Sequence, residues 1–138
     1  FIKIVKRTRN IHSSFLDQAI FYKYMESGAF KRYMKKIRKH YRDKYNFTLL
    51  QVKKYIPYEY ILGEGGLHIF IKLKGVNGRD VLKECYKRGV VFMPGDIFYS
   101  NEDGAERIRL GFSRVSEEDI EKGIKIIGEV ISEILDRR

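Results

Sequence analysis

Arginine is the side chain best suited to hold a carboxylate, because its planar guanidinium offers two parallel charge-assisted hydrogen bonds to the two oxygens. The segment Arg107-Ile108-Arg109-Leu110-Gly111-Phe112 carries two arginines in a period-two pattern. Ile108, Leu110 and Phe112 share one face of a strand; Arg107, Arg109 and Gly111 share the other. One face packs, and the other is offered to an anion, with Gly111 leaving room for a ligand. A solvent-facing strand with surface arginines has the same pattern, so the strand alone does not separate the two readings. Other chemistry is thinner. His12, His40 and His68 have no ligand spacing with one another or with Cys85, so no structural metal is expected. Gly63-Glu64-Gly65-Gly66 lacks the lysine and following helix of a phosphate-binding P-loop, which leaves it a role in backbone geometry.

The arginine strand has company. Gly89, Val90, Phe92, Pro94, Gly95 and Phe98, spaced as Gly-Val-x-Phe-x-Pro-Gly-x-x-Phe, precede a polar loop and then Ile108-Arg109-Leu110-Gly111-Phe112-Ser113. With His12-Ser13-Ser14-x-x-Asp17-Gln18 near the start and Gly66-Leu67-His68 in the middle, this series resembles the last part of fold-type-I pyridoxal 5'-phosphate (PLP) aminotransferases. Within that superfamily it most resembles the aminotransferase-like half of MocR-type regulators of the GntR family. The resemblance runs over nearly the whole chain. It implies a C-terminal small domain in which Arg109 holds the α-carboxylate of an amino-acid ligand. Pro94, Gly95 and Phe98 would shape the wall near that ligand and move with the domain as it closes. His12, Ser13 and Ser14 would approach the neighbouring subunit's site in a homodimer. Arg107 is not the position to which the motif points.

The resemblance also implies what lies elsewhere in a longer parent. In the family a Ser-Lys motif upstream of this segment supplies the lysine that binds PLP, and the large domain holds the cofactor's phosphate and ring. No Ser-Lys dipeptide occurs here, so the piece alone is expected neither to bind PLP nor to transaminate. A regulator would bind DNA through a winged-helix domain at the parent's N-terminus; a free-standing amino-acid aminotransferase shares the same C-terminal features and is the alternative. A third reading, from a different class, is a small basic nucleic-acid-binding domain. It gains from the charge, but Leu67 to Leu73 does not match an RNP1 strand and no recognition helix stands out.

The length of 138 residues suits one domain with its own core, and the apolar and charged fractions of 43% and 33% are those of a globular protein. No apolar run approaches the ~20 residues needed to span a bilayer, so no membrane is expected. Phe1 opens the chain with neither a methionine nor a signal pattern, which reads as a piece excised from a longer protein. The single cysteine, Cys85, fits the buried face of a helix in a reducing compartment, hence a cytoplasmic location. The net charge is +10, from 28 basic and 18 acidic residues, and much of it lies between Lys31 and Lys54.

Elements to position the arginines follow from periodicity. Phe1 to Arg9 mixes apolar and basic residues without an assignable period. Ser13 or Ser14 caps a helix running to about Glu26, with Leu16, Ala19, Ile20 and Tyr24 inward and Ser27-Gly28 ending it. Phe30, Met34, Ile37, Tyr41, Tyr45, Thr48, Val52 and Ile56 make one stripe of a long helix from Ala29, closed by Pro57. Lys31, Arg32, Lys35, Lys36, Arg38, Lys39, Arg42 and Lys44 surround that stripe, as a solvated outer face would. Tyr58 to Leu62 and Leu67 to Leu73 read as a hairpin, the second with Leu67, Ile69, Ile71 and Leu73 on one face. Asn77 or Gly78 opens a helix to about Lys87, with Val81, Leu82 and Cys85 inward and Gly89 at its C-terminal cap. An apolar strand then ends in Pro94-Gly95, Asn101-Glu102-Asp103-Gly104 marks a turn, and the arginine strand follows. Ser116 caps the last helix, with Asp119 reaching back to it and Ile120, Ile124, Ile127, Ile131 and Leu135 inward. The order predicts an α+β fold in which helices, one of them long, cover one face of a small, mostly antiparallel sheet of about four strands.

Overall fold

Alternating residues give a strand two chemical faces, and pairing strands in register adds the faces together. In a computed structural model that describes residues 14–63, 65–100 and 104–137, four strands are joined in this way by three pairings. Strands β1 (Tyr58–Leu62), β2 (His68–Leu73), β3 (Met93–Pro94) and β4 (Arg107–Gly111) form one sheet in the order β1-β2-β4-β3, every pair antiparallel. Across β2 and β4, Ile69 faces Leu110 and Ile71 faces Ile108, while Phe70 faces Arg109 and Lys72 faces Arg107. The β1–β2 turn uses Gly63 and Gly66 at φ values of 97° and 89°, where a side chain would be strained. A bulge between Tyr58 and Tyr60 shifts the start of β1.

By its contacts the chain divides into two units, Phe1–Lys39 and His40–Arg138, and the sheet belongs to the second. There the C-terminal part of helix α2 (Ala29–Tyr55), with α3 (Gly78–Lys87) and α4 (Glu117–Asp136), supplies the apolar partners of the sheet. Val52 and Ile56, Val81 and Cys85, and Ile120, Ile124, Ile127, Val130 and Ile131 are buried with Ile69, Ile71, Leu73, Ile108, Leu110 and Phe112. Burying one such aliphatic side chain is worth about 1.5–3 kcal/mol, so this shared face holds the fold together. The Asn77 side chain caps α3 by accepting from the Arg79 N–H at 2.8 Å. At its other end Gly89 (φ 77°) donates to Tyr86 O and Val90 donates to Cys85 O, the paired bonds of a Schellman ending. Helix α4 starts as expected: the Asp119 N–H donates to Ser116 Oγ at 3.0 Å, and the Ser116 hydroxyl donates to Asp119 Oδ2 at 2.7 Å.

The first unit contains α1 (Phe15–Glu26) and the beginning of α2. Ser14 caps α1 by accepting from the Asp17 N–H, and Gly28 at φ 72° turns the chain into α2. Phe30 packs edge-on against Phe21 and Tyr24, with ring centroids 5.3 and 5.9 Å away.

Three expectations change. The α1 face expected inward is open, with Leu16 and Ile20 67% and 60% exposed and Tyr24 at the margin; Phe15, Phe21, Tyr22 and Met25 are exposed as well, so apolar residues ring this helix instead of marking one stripe. The strand expected to lead into Pro94-Gly95 shrinks to Met93–Pro94 and is followed by a 3-10 turn, Gly95–Phe98. Proline has no N–H for a ladder, and Gly95 turns the chain tightly onto β4: a Cβ there would stand 2.3 Å from Arg107 Cβ. Leu67 and Leu135 lie off the core, each more than a third exposed. The expectations for Phe1 to Arg9, His12 and Ser13, for Glu64, for Asn101 to Asp103 and for Arg138 concern residues outside the described ones.

Gly128 is a close-approach residue that periodicity alone did not single out. A Cβ there would fall 2.1 Å from Tyr55 O, where α2 ends against α4, whereas a Cβ at Gly123 would meet only Val90 at 3.9 Å. Gly128→Ala is expected to destabilise by about 1–3 kcal/mol through overpacking. Gly123→Ala should stabilise by about 0.5–1 kcal/mol through helix propensity. Denaturant midpoints of the two variants check the contrast. Burial pushes the Cys85 thiol up to about 11. It should resist iodoacetamide at neutral pH until the protein unfolds. Because its folded value is raised, its contribution to stability is full below the ordinary thiol value and is lost as pH rises through about 11, which denaturation curves across that range would report.

Candidate carboxylate-binding face

The sheet face turned away from the helices carries Tyr60 and Leu62 from β1, His68, Phe70 and Lys72 from β2, and Arg107, Arg109 and Gly111 from β4. Its cations differ in how they are held. Lys72 pairs with Glu59 at 2.8 Å, and that hydrogen bond raises its pKa. Arg107 donates from Nη1 to the Tyr99 hydroxyl at 2.7 Å and stacks on two rings, its guanidinium carbon 4.6 Å from the centroid of Tyr99 and 5.5 Å from that of Tyr60. Arg109 is different. Its guanidinium carbon lies 4.5 Å from the Phe98 centroid, yet its buried Nε finds no hydrogen-bond acceptor among the described residues.

A buried donor without an acceptor costs about 1–3 kcal/mol, and more for a charged group. A carboxylate arriving at Arg109 would remove that cost and supply a second oxygen to the fork. The guanidinium is also well placed before any ligand arrives. Phe98 beneath it packs edge-on against Phe70, with centroids 5.7 Å apart. The turn that presents Phe98 is anchored on several sides: Gly95 sits against Arg107, Gly104 sits against the Asp96 backbone, and Asp96 pairs with Arg79 at 2.5 Å. Arg107 is therefore a positioning residue: through Tyr99 it ties the end of this turn to the sheet, and so steadies Phe98 under Arg109.

Of the sequence-predicted site residues, Arg109 and Phe98 meet; Pro94 pairs with Ile108, and Gly95 packs behind them on Arg107. The room left by Gly111 is bordered by an imidazole, since a Cβ there would stand 3.4 Å from His68 Cδ2. Ser14 has the local role of capping α1. Sequence reasoning missed Phe70, Tyr99, Tyr60 and the bracing role of Arg107. Alternation already put Phe70 on the polar face of β2, but which strand would lie beside it was not legible. A separate cavity of about 420 Å³, lined among others by Val90, Leu110, Phe112, Ile120 and Gly123, does not include Arg109 among its lining residues.

No family model matches the chain. Individual proteins do. It is 28% identical over 135 residues to aromatic-amino-acid aminotransferase 1 of Thermococcus litoralis, covering 96% of this chain and 32% of that protein. It is 29% identical over 125 residues to the uncharacterized HTH-type transcriptional regulator YdeL of Bacillus subtilis, covering 88% of this chain and 26% of the regulator. The crystal structure of a multiple substrate aminotransferase from Thermococcus profundus superposes with a TM-score of 0.85 at 28% identity, over 98% of this chain and 34% of that one. Over nearly its whole length the chain resembles part of fold-type-I aminotransferases. Its likeness extends to regulators as well as enzymes, as the motif series implies, and it spans about a third of the length of the curated aminotransferases that it matches.

Phe98→Ala should release the Arg109 guanidinium of this aminotransferase-like chain. The expected result is loss of the ring-current shift at the Arg109 Nε–H proton in NMR spectra, with about 0.5–1 kcal/mol of stability lost. An unchanged Nε–H resonance in the variant would show that the guanidinium does not rest on this ring.

Proposed function

We propose that this chain is the C-terminal, carboxylate-recognising part of a PLP-dependent, aminotransferase-like transcriptional regulator of the MocR type. The observation that carries the reading is the Arg109 guanidinium, fixed on a central strand and an aromatic ring with one buried donor unused. In the parent a large domain would hold PLP, which supplies an aldehyde for amines and an electron sink. None of the residues described here is assigned to holding that cofactor. Their work is on the ligand.

Arg109 grips the α-carboxylate of an amino acid and so fixes where its amine points, a gain in proximity and orientation. Phe98, with Pro94 and Gly95 behind it, forms the apolar wall beside that carboxylate and excludes water, which strengthens the ion pair. Closure of this part onto the large domain would then depend on a ligand being present, and in a regulator would carry that state to a DNA-binding domain at the parent's N-terminus. The parent would act as a cytoplasmic homodimer, with His12, Ser13 and Ser14 near the neighbouring subunit's site. Among the described residues no helix is long and apolar enough to cross a membrane. The resemblance to the Thermococcus enzyme favours a second reading, in which the same part belongs to a free-standing amino-acid aminotransferase.

The test uses the parent chain extended upstream through its PLP-binding lysine, with Arg109→Ala beside the unmodified protein. Both should show the absorbance of bound cofactor. Amino acids should shift that absorbance at concentrations about 100-fold higher in the variant, the effect of losing a charged bidentate contact. Equal responses would remove Arg109 from the role, and a parent that binds no PLP would end the reading altogether.

A further inference from the structure

Six cations crowd the start of α2: Lys31, Arg32, Lys35, Lys36, Arg38 and Lys39, all exposed, with no acidic residue between Glu26 and Asp43. Residues at i, i+4 and i+7 share a helix face, so Lys31, Lys35 and Arg38 form one row, and Arg32, Lys36 and Lys39 a second beside it. Elsewhere the helices neutralise charge locally, through Lys23 with Glu26, Lys87 with Glu84 and Lys122 with Glu118. Among the described residues none of the six cations forms an ion pair. Like charges three and four apart destabilise a helix, and Lys31 and Arg32 stand in a first turn that has no acidic residue to match the dipole. An ordinary solvated face interleaves both signs; this one concentrates a single sign against the preference of the helix.

A polyanion would remove that cost. Each row rises about 10 Å along the helix at ~1.5 Å per residue. Duplex DNA carries a phosphate about every 3.4 Å of axis on each strand, so one row takes in about three of them. The rows contain no apolar residue, whereas a helix lying in a membrane surface inserts its apolar side beside its cations. Met34 and Ile37, on the other side of the helix, are partly buried. We propose that this face of α2 binds the phosphate backbone of duplex nucleic acid without reading its sequence, independently of what Arg109 binds.

Fluorescence anisotropy of the 138-residue chain with a mixed-sequence DNA duplex tests this directly. Six phosphate contacts predict an affinity that falls about 10³-fold between about 50 and 200 mM salt. The triple variant Lys35→Ala, Arg38→Ala, Lys39→Ala should lower the salt slope by about three, and alanine keeps the helix. A control with the same net charge, Lys74→Ala, Arg114→Ala, Lys125→Ala, should keep the original slope, with circular dichroism showing all three proteins folded. Equal slopes for the two variants, no salt-dependent binding, or capture by anionic phosphatidylserine vesicles but not by DNA would each overturn the proposal.

Discussion

Ile71 lies opposite Ile108, and Phe70 opposite Arg109, across the β2–β4 pair, and much else depends on that register. Slipping one strand by a residue would turn Arg107 and Arg109 into the helix-covered core and Ile108 and Leu110 out to the open face. The cost of burying two unpaired guanidinium groups rules such a slip out. Pairing therefore does two things at once. It builds the apolar surface on which α2, α3 and α4 pack, and it sets Arg109 on a strand flanked by neighbours on both sides. Arg109 and the core residues Ile108 and Leu110 share one strand.

Around Arg109 aromatic rings order the open face. Phe70 supports Phe98, Phe98 supports the Arg109 guanidinium, and Tyr99 and Tyr60 hold Arg107. A ring under a guanidinium keeps it in place without using its hydrogen-bond donors, and Arg109 Nε has no acceptor among the described residues. Had an aspartate held Arg109, the arginine would be equally fixed and no longer free to bind. The small residues serve this arrangement from behind. Gly95 lets the 3-10 turn close onto Arg107, and Gly78 approaches the same backbone, a Cβ there standing 2.6 Å from Arg107 O. The two units also differ in character: the second has a closed apolar core, while α1 in the first leaves Phe15, Leu16 and Ile20 open and α2 carries its unmatched cations.

The local elements were legible from the sequence because their signals are local. Spacing of three and four placed the long stripe from Phe30 to Ile56, Asn77 and Ser116 marked helix starts, Gly89 marked an end, and alternation placed Ile108, Leu110 and Phe112 on the packed side of β4. The motif series that resembles aminotransferases singled out Arg109 and Phe98, and the fold brings these two side chains together. Tertiary structure alone decided the rest. Whether α1 buries a stripe depends on a partner surface, which its composition does not contain. Whether Pro94 continues a strand depends on how closely β4 approaches Gly95. That Gly128 must stay small depends on where the α2 carbonyl of Tyr55 ends, and that Arg109 keeps a donor free while Arg107 and Lys72 do their bonding locally depends on neighbours brought in from distant strands. Periodicity sets which way a side chain points; only the packed fold sets what it meets there.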